Sequence, residues 1–287
     1  MDKLIDMHNH TTFSDGELTP MELIEYAYNN NVGIMAITDH DTLNGVLNID
    51  RNNPILNNIT VYNGIELSVK RNKGTMHILG YDIDITDSTL TGKMNQLRDN
   101  SINYIISMLH QIKVDYGIKF TYEDLNKLFN ANHNLGRPDI AKLCIKYGYA
   151  TSIDEAFKKY LIPAKDKIRD ALKGLTYYEC LELITGANGI PVLAHPKSLE
   201  LSEKEFLILL KDMINHGLRG IEVYHSSHTK EEMEYYLEIA NMYNLLISGG
   251  SDYHGPLVKP DVKIGTGVNN NLKIKQLSLV DELKKRH

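Results

Sequence analysis

Short apolar runs that break off at histidine or carboxylate recur along this chain of 287 residues. The first is LIDMH at residues 4–8, which has the length of a buried strand. A polar loop follows, TTFSDGELTP, in which Thr19 and Pro20 fit the cap and first turn of a helix. Leu23, Ile24, Ala27 and Tyr28 then fall at helical spacing. VGIMAITDHD is a second apolar run with an abrupt polar end, and ITVYNGIELSV and TMHILGYDI read as further strands. Strand, helix and strand in alternation predict an α/β architecture with a largely parallel sheet.

From about Thr89 to Lys173 the periodicity becomes helical throughout: MNQLRDNSINYIISMLHQI, TYEDLNKLF, PDIAKLCIKYG and SIDEAFKKYL. Afterwards helix and strand alternate again. YYECLELITGANG precedes IPVLAHP, EFLILLKDMINHG precedes LRGIEVYHS, and KEEMEYYLEIANMYN precedes LLISGGSDYHG. This pattern predicts an incomplete barrel or wound sheet in two parts, residues 1–88 and 174–287, interrupted by a helical insert at 89–173.

Composition narrows the classes of function. With 42% hydrophobic and 24% charged residues the chain has material for a sizeable core, and no run approaches a membrane span. MDKLIDMHNH places Asp6 and His8 where a secretory signal would need apolar residues, so the cytoplasm is the expected location. Cys144 and Cys180 show no pairing pattern and read as reduced thiols. A net charge of −6 argues against binding duplex nucleic acid, but not against a small phosphorylated substrate whose charge bound cations would meet.

The polar residues at the strand ends carry the chemistry. His8 and His10 follow the first strand; Asp39, His40 and Asp41 follow the second; Glu66 lies in the third and His77 in the fourth. His195 ends VLAH, Glu222 and His225 lie in GIEVYH, and Asp252 and His254 follow ISGG. Carboxyl ends of parallel strands converge where α/β proteins bind ligands. One histidine at a strand end is ordinarily a hydrogen-bonded polar side chain. A gathering of them with carboxylates is costly to bury unless paired or metal-bound. Imidazole and carboxylate without thiolate suit Mn, Fe or Zn, and the number of donors exceeds what one ion needs. Two such ions activate water as a bridging hydroxide and clamp phosphate oxygens, which is the equipment of a hydrolase.

At these residues the sequence resembles the PHP (polymerase and histidinol phosphatase) superfamily. The matching pieces, in order, are IDMHNHTTFSDGELTP, ITDHDTLNGV, GIELS, HILGYDID, GRPDIAKL, EAFKKYL, VLAHP, GIEVYH and GGSDYHG. They are most similar to stand-alone bacterial 3′,5′-nucleoside bisphosphate phosphatases and 5′-to-3′ exoribonucleases. The resemblance implies a distorted (β/α)7 barrel with the small helical insert as a substrate-side cap. It implies two or three divalent ions, Mn²⁺ first and Fe²⁺ or Zn²⁺ as alternatives. His8, His10, Glu66 and Asp252 would hold one ion, Glu66 with His77 and His195 a second, and Asp15, His40 and His254 a third. Asp15 sits in S-D-G, which composition alone reads as a turn.

By the same resemblance Arg137 would clamp substrate phosphate through its planar donor fork. His225 would contact phosphate or protonate the leaving oxygen, or else orient a ligand; Lys197, just after AHP, is a candidate for a further phosphate contact. Asp39, Asp41 and Glu222 are expected to support the site rather than bind an ion, and His110, His133, His216, His228 and His287 match no motif. Two departures fall in the insert: Asp139 stands where the family often has His after GRP, and IPAKDKIRD lacks a common Tyr. The activity implied is hydrolysis of nucleotide phosphoesters, nucleoside 3′,5′-bisphosphates or the 5′ ends of short oligoribonucleotides. A histidinol-phosphatase-like metabolite phosphatase and a non-catalytic metal-binding module are the alternatives.

Overall fold

A computed structural model describes residues 3–129, 135–168 and 174–287. The chain divides into two compact units, residues 1–92 with 175–287, and residues 93–174.

The first unit is built on seven strands: β1 (Leu4–Asp6), β2 (Val32–Ile37), β3 (Thr60–Val69), β4 (Met76–Tyr81), β5 (Ile190–Leu193), β6 (Gly220–His225) and β7 (Leu246–Gly250). They lie side by side in chain order. Beyond the last ladder Met7 N–H donates to Gly249 O (3.1 Å), and Asn9 pairs in parallel with Tyr253, so β1 meets β7 and the sheet is a nearly closed barrel. The expected α/β barrel is therefore the observed one. Its distortion lies at β4, which runs antiparallel to both β3 and β5. Residues 70–75 are too few for the crossover of a dozen or more residues that a parallel return requires.

Four helices of this unit announce their starts in the sequence. Thr19 accepts a hydrogen bond from Glu22 N–H while Glu22 Oε2 accepts from Thr19 N–H (2.8 Å). Thr176 with Glu179, Ser202 with Glu205 and Thr229 with Glu232 repeat this reciprocal cap. Helices Pro20–Asn29, Tyr177–Gly186 and Lys230–Met242 pack on neighbouring strands through Leu23 and Ile24, Leu181 and Ile184, and Tyr236 and Ile239. A helix at Ser278–Lys284 was not expected from the pattern, because seven residues are too short for periodicity to show. Its Leu279, Val280 and Leu283 join Ile5, Met7, Leu79, Tyr81 and Val192 in one buried core. Each such side chain contributes roughly 1.5–3 kcal/mol by leaving water.

The second unit is helical, with the long helix Ser88–Tyr116 leading into it, then Tyr122–Phe129, Arg137–Lys146, Ile153–Ala156, a widened turn at Phe157–Leu161, and Ile162–Lys167. Its own core contains Ile105, Met108, Ile112, Ile140, Cys144 and Leu161. Asp139 has a local task here: its Oδ2 accepts from Gly136 N–H (2.8 Å) and caps the helix that Arg137 begins. IPAKDKIRD opens as the helix Ile162–Lys167, with Pro163 in the first turn where it costs no hydrogen bond. Its end, and His133, lie outside the described residues. Among the described residues no helix is long and apolar enough to cross a membrane.

Candidate metal centre

One rim of the barrel collects the polar strand ends. His8 and His10 leave β1 on the same side, as an i, i+2 pair must. Glu66 stands near the middle of β3. His77 reaches the same rim from the start of β4, because that strand is reversed. His195 follows β5 and Asp252 follows β7, and both hold left-handed backbone (φ 23° and 56°) that side-chain-bearing residues rarely adopt. Such strain persists only where the surroundings enforce it. Gly250, two residues earlier, leaves no room for a side chain, since a Cβ would lie 2.4 Å from His8 N.

Glu66 is the hub. Its Oε2 lies 3.1 Å from His8 Nε2, 3.2 Å from His10 Nε2 and 3.2 Å from His40 Nδ1. Its Oε1 lies 2.8 Å from His77 Nδ1 and 3.0 Å from His195 Nε2, and those two nitrogens are 3.2 Å apart. Asp252 Oδ1 lies 3.2 Å from His10 Nε2 and 3.6 Å from His8 Nε2. Asp15, on its turn, completes a neighbouring group: Oδ1 is 3.2 Å from His254 Nε2 and 3.5 Å from His10 Nδ1, and Oδ2 is 4.0 Å from His40 Nε2. The structure thus brings together all nine residues of the expected ligand set. Within it, His10, Asp15, His40 and His254 form one set of donors with the mutual spacing of a cation site; His8, His10 and Glu66 form another, and His40, Glu66 and His77 a third.

Supporting side chains fix these positions. Glu222 Oε1 accepts from His8 Nδ1 (3.0 Å) and its Oε2 from His195 N–H (2.8 Å), joining two of the rim histidines. Asp39 accepts from Thr11 N–H (2.7 Å), Thr11 Oγ1 (2.7 Å) and Ser14 Oγ (2.5 Å), which shapes the turn that carries Asp15. Asp41 accepts from Ser68 N–H (2.8 Å). His225 Nδ1 accepts from Ser227 N–H (3.1 Å), which leaves its other nitrogen to carry the proton toward Asp252 Oδ2 at 3.3 Å. Lys197 is engaged by Glu232 Oε2 (2.9 Å) and Ser227 O (3.2 Å). In the helical unit the Arg137 guanidinium lies over the Phe157 ring, 5.2 Å from its centre. His228, which matched no motif, is buried with Nδ1 on Val223 O (2.9 Å).

The sequence reading passed over two residues of this rim. Asp6 in the sequence is only a break in an apolar segment, yet its buried carboxylate accepts from Ser251 N–H (2.8 Å), Ser251 Oγ (2.6 Å) and Gly265 N–H (2.6 Å). Lys259 lies with Nζ 2.5 Å from Asp252 Oδ2. Neither stands in a recognisable spacing pattern, and only the fold brings them to the cluster.

The electrostatics are those of buried histidines and carboxylates in direct contact. With His8 Nδ1 donating to Glu222, a neutral ring would turn a lone pair on Nε2 toward Glu66 Oε2 at 3.1 Å. Among the described residues neither of those two atoms has a hydrogen-bond partner, nor does His10 Nε2. A proton or a metal ion must lie between them. Burial opposes charge on His8 and His10, but Glu66, Asp252 and their neighbours outweigh it, raising His8 well above its usual 6.5 and His10 to about 9. Glu66, although burial works against its charge, is held far below the ordinary carboxylate range by His40, His8 and His77. Burial, with His10 and His77 nearby, drives His40 down to about 3 in spite of Glu66 and Asp15. Nitrogen and oxygen donors without thiolate are a set that binds divalent metal ions.

Two expectations follow from this geometry. At pH 7.5, below the value of about 9 for His10, metal uptake must displace a proton, because only a neutral imidazole coordinates. Affinity for Mn²⁺ is therefore expected to rise between pH 7 and 9, with proton release seen as a buffer-dependent binding enthalpy. A binding enthalpy independent of buffer would contradict it. Glu222→Gln, which keeps shape but removes the charge on His8, is expected to weaken Mn²⁺ binding about 10- to 100-fold. Unchanged affinity in a metal titration would show that Glu222 serves packing alone.

The model of the family described as "PHP domain" matches residues 6–186. The chain belongs to the PHP family. This PHP chain is 28% identical to a 3′,5′-nucleoside bisphosphate phosphatase of Chromobacterium violaceum, over 88% of the chain and 87% of that protein. It is 29% identical to a 5′-3′ exoribonuclease of Escherichia coli, over 91% and 88% of the two. A solved structure from Bifidobacterium adolescentis, described as a metal-dependent phosphoesterase, superimposes with a TM-score of 0.77 at 26% identity, covering 100% of this chain and 97% of the other. This PHP chain is a hydrolase acting on phosphoester bonds.

Proposed function

We propose that this PHP enzyme hydrolyses phosphate monoesters of nucleotides, nucleoside 3′,5′-bisphosphates first among them, and takes the 5′ ends of short oligoribonucleotides as related substrates. The observation that carries the reading is the convergence of five imidazoles on the two oxygens of Glu66, flanked by Asp15 and Asp252. His8, His10, Asp15, His40, Glu66, His77, His195, Asp252 and His254 would hold two or three divalent ions, with Mn²⁺ the first choice. Bound ions of this kind supply Lewis acidity and an activated water. The relatives named above support the nucleotide substrate, since both act on phosphorylated nucleosides or RNA.

The chain's own residues have defined parts in this reading. Glu222 keeps His8 turned toward Glu66, and Asp39 keeps Asp15 at the rim. His225, with its proton on Nε2, steadies Asp252 Oδ2, which favours the orienting role over direct protonation of the leaving oxygen. Arg137 is assigned to substrate phosphate on its GRP motif and on the suitability of a guanidinium fork. The test is phosphate release by Mn²⁺-loaded protein from nucleoside 3′,5′-bisphosphates, 5′-phosphorylated dinucleotides and a histidinol-phosphate-type monoester. The nucleotide substrates are expected to show the higher kcat/KM. A preference for the metabolite monoester would overturn the substrate assignment, and no turnover of any phosphoester would overturn the hydrolytic one.

A further inference from the structure

Asp252 turns its two oxygens in different directions. Oδ1 faces the cluster, 3.2 Å from His10 Nε2, 3.4 Å from His254 Nδ1 and 3.6 Å from His8 Nε2. Oδ2 faces Lys259 Nζ at 2.5 Å and His225 Nε2 at 3.3 Å. The Asp252 side chain is 11% exposed and that of Lys259 36%, so the ammonium joins the cluster to solvent. The backbone beneath Lys259 is anchored, because Glu17 Oε1 accepts from Leu257 N–H (2.5 Å) and Val258 N–H (2.7 Å) while Lys259 N–H donates to Gly255 O (2.9 Å). A flexible four-carbon stem thus starts from a fixed point and carries a compact charge to the rim. Lys197, the rim lysine that the sequence singled out, is already held by Glu232.

We propose that Lys259 is a phosphate-binding residue of the hydrolytic site, positioned at the rim by Asp252 and passed from it to the substrate's phosphate. This rests on the hydrolytic reading above and adds a residue to it. The reason is competition for one charge. An ammonium 2.5 Å from Asp252 Oδ2 is held by the carboxylate's charge, which His10 and His8 share from the other side at 3.2 and 3.6 Å. A divalent ion held by Asp252 would weaken that attraction and add like-charge repulsion. A phosphate arriving at the rim then becomes the best partner of Lys259, through a charge-assisted hydrogen bond.

Lys259→Gln and Lys259→Arg test this with two readouts of opposite sign. Mn²⁺ alone is titrated into stripped protein, and inorganic phosphate into the Mn²⁺-loaded form. Lys259→Gln is expected to bind Mn²⁺ at least as tightly as the natural chain, since a competing cation is gone. Its affinity for inorganic phosphate is expected to fall about 10- to 100-fold, the worth of one charged hydrogen bond, with KM rising more than kcat falls. Lys259→Arg should restore much of the phosphate binding. Unchanged phosphate affinity in Lys259→Gln would overturn the proposal. So would weaker Mn²⁺ binding, which would make Lys259 a support for Asp252 instead. A natural chain inactive on every phosphoester would defeat the hydrolytic reading, whereas an active one with an indifferent Lys259→Gln variant would defeat this inference alone.

Discussion

Glu66→Gln is expected to cost at least about 10²–10³-fold in phosphoester turnover, the scale of losing one preorganised electrostatic group, and to empty the site of metal. The substitution keeps the volume of the side chain, so the barrel should fold and its circular dichroism should match the natural chain. What disappears is the charge on which His8, His10, His40, His77 and His195 converge at 2.8–3.2 Å. An amide offers one oxygen and turns an NH₂ toward nitrogens that need an acceptor or an ion. His10, now raised to about 9 partly by Glu66, should also titrate lower in the metal-free variant. Metal content measured beside turnover checks this. A Glu66→Gln protein that keeps its metal and works within a few-fold of the natural chain would show that the hub is elsewhere.

The second large effect is expected on stability. Asp6→Ala should lower the unfolding free energy by about 3–5 kcal/mol, because a fully buried carboxylate with several donors is removed from a closed space. Ser251 N–H and Gly265 N–H would lose their acceptor, each at a cost of about 1–3 kcal/mol. The melting temperature should fall by about 10 °C. The effect should reach the chemistry as well, since Ser251 adjoins Asp252 and Asp6 ties the end of β1 to that loop. Thermal unfolding of the metal-free protein measures the first part and Mn²⁺ affinity the second. An Asp6→Ala chain that melts with the natural one would remove Asp6 from this account.

Much of this was legible in the sequence, and the physical reasons for success and failure are specific. Apolar runs of strand length ending in His or Asp showed both the sheet and the rim, because strand ends are where polar side chains meet ligands. Reciprocal Thr/Ser and Glu caps are local, so helix starts such as Thr19–Glu22 could be read from a few residues. The reversal of β4 could not: His77 was seen in its strand, but that it points to the rim depends on the short 70–75 connection. Asp15 needed a family motif, since a turn aspartate has no periodicity. Asp6 acts through partners far along the chain, Ser251 and Gly265, and Lys259 meets the nearby Asp252 only through the loop's path. Neither relation leaves a spacing signal. The helix Ser278–Lys284 was missed for want of length.

The claim that everything else depends on is that the histidine and carboxylate cluster binds divalent ions and that these ions drive hydrolysis. The direct measurement is one titration of chelator-stripped protein with Mn²⁺, following bound metal per chain and phosphate release from a nucleoside 3′,5′-bisphosphate together. Activity should be absent at the start and rise in step with the filling of more than one site, and His10→Ala should lose both. Full activity in the stripped protein, or metal uptake that His10→Ala leaves unchanged, would contradict the account.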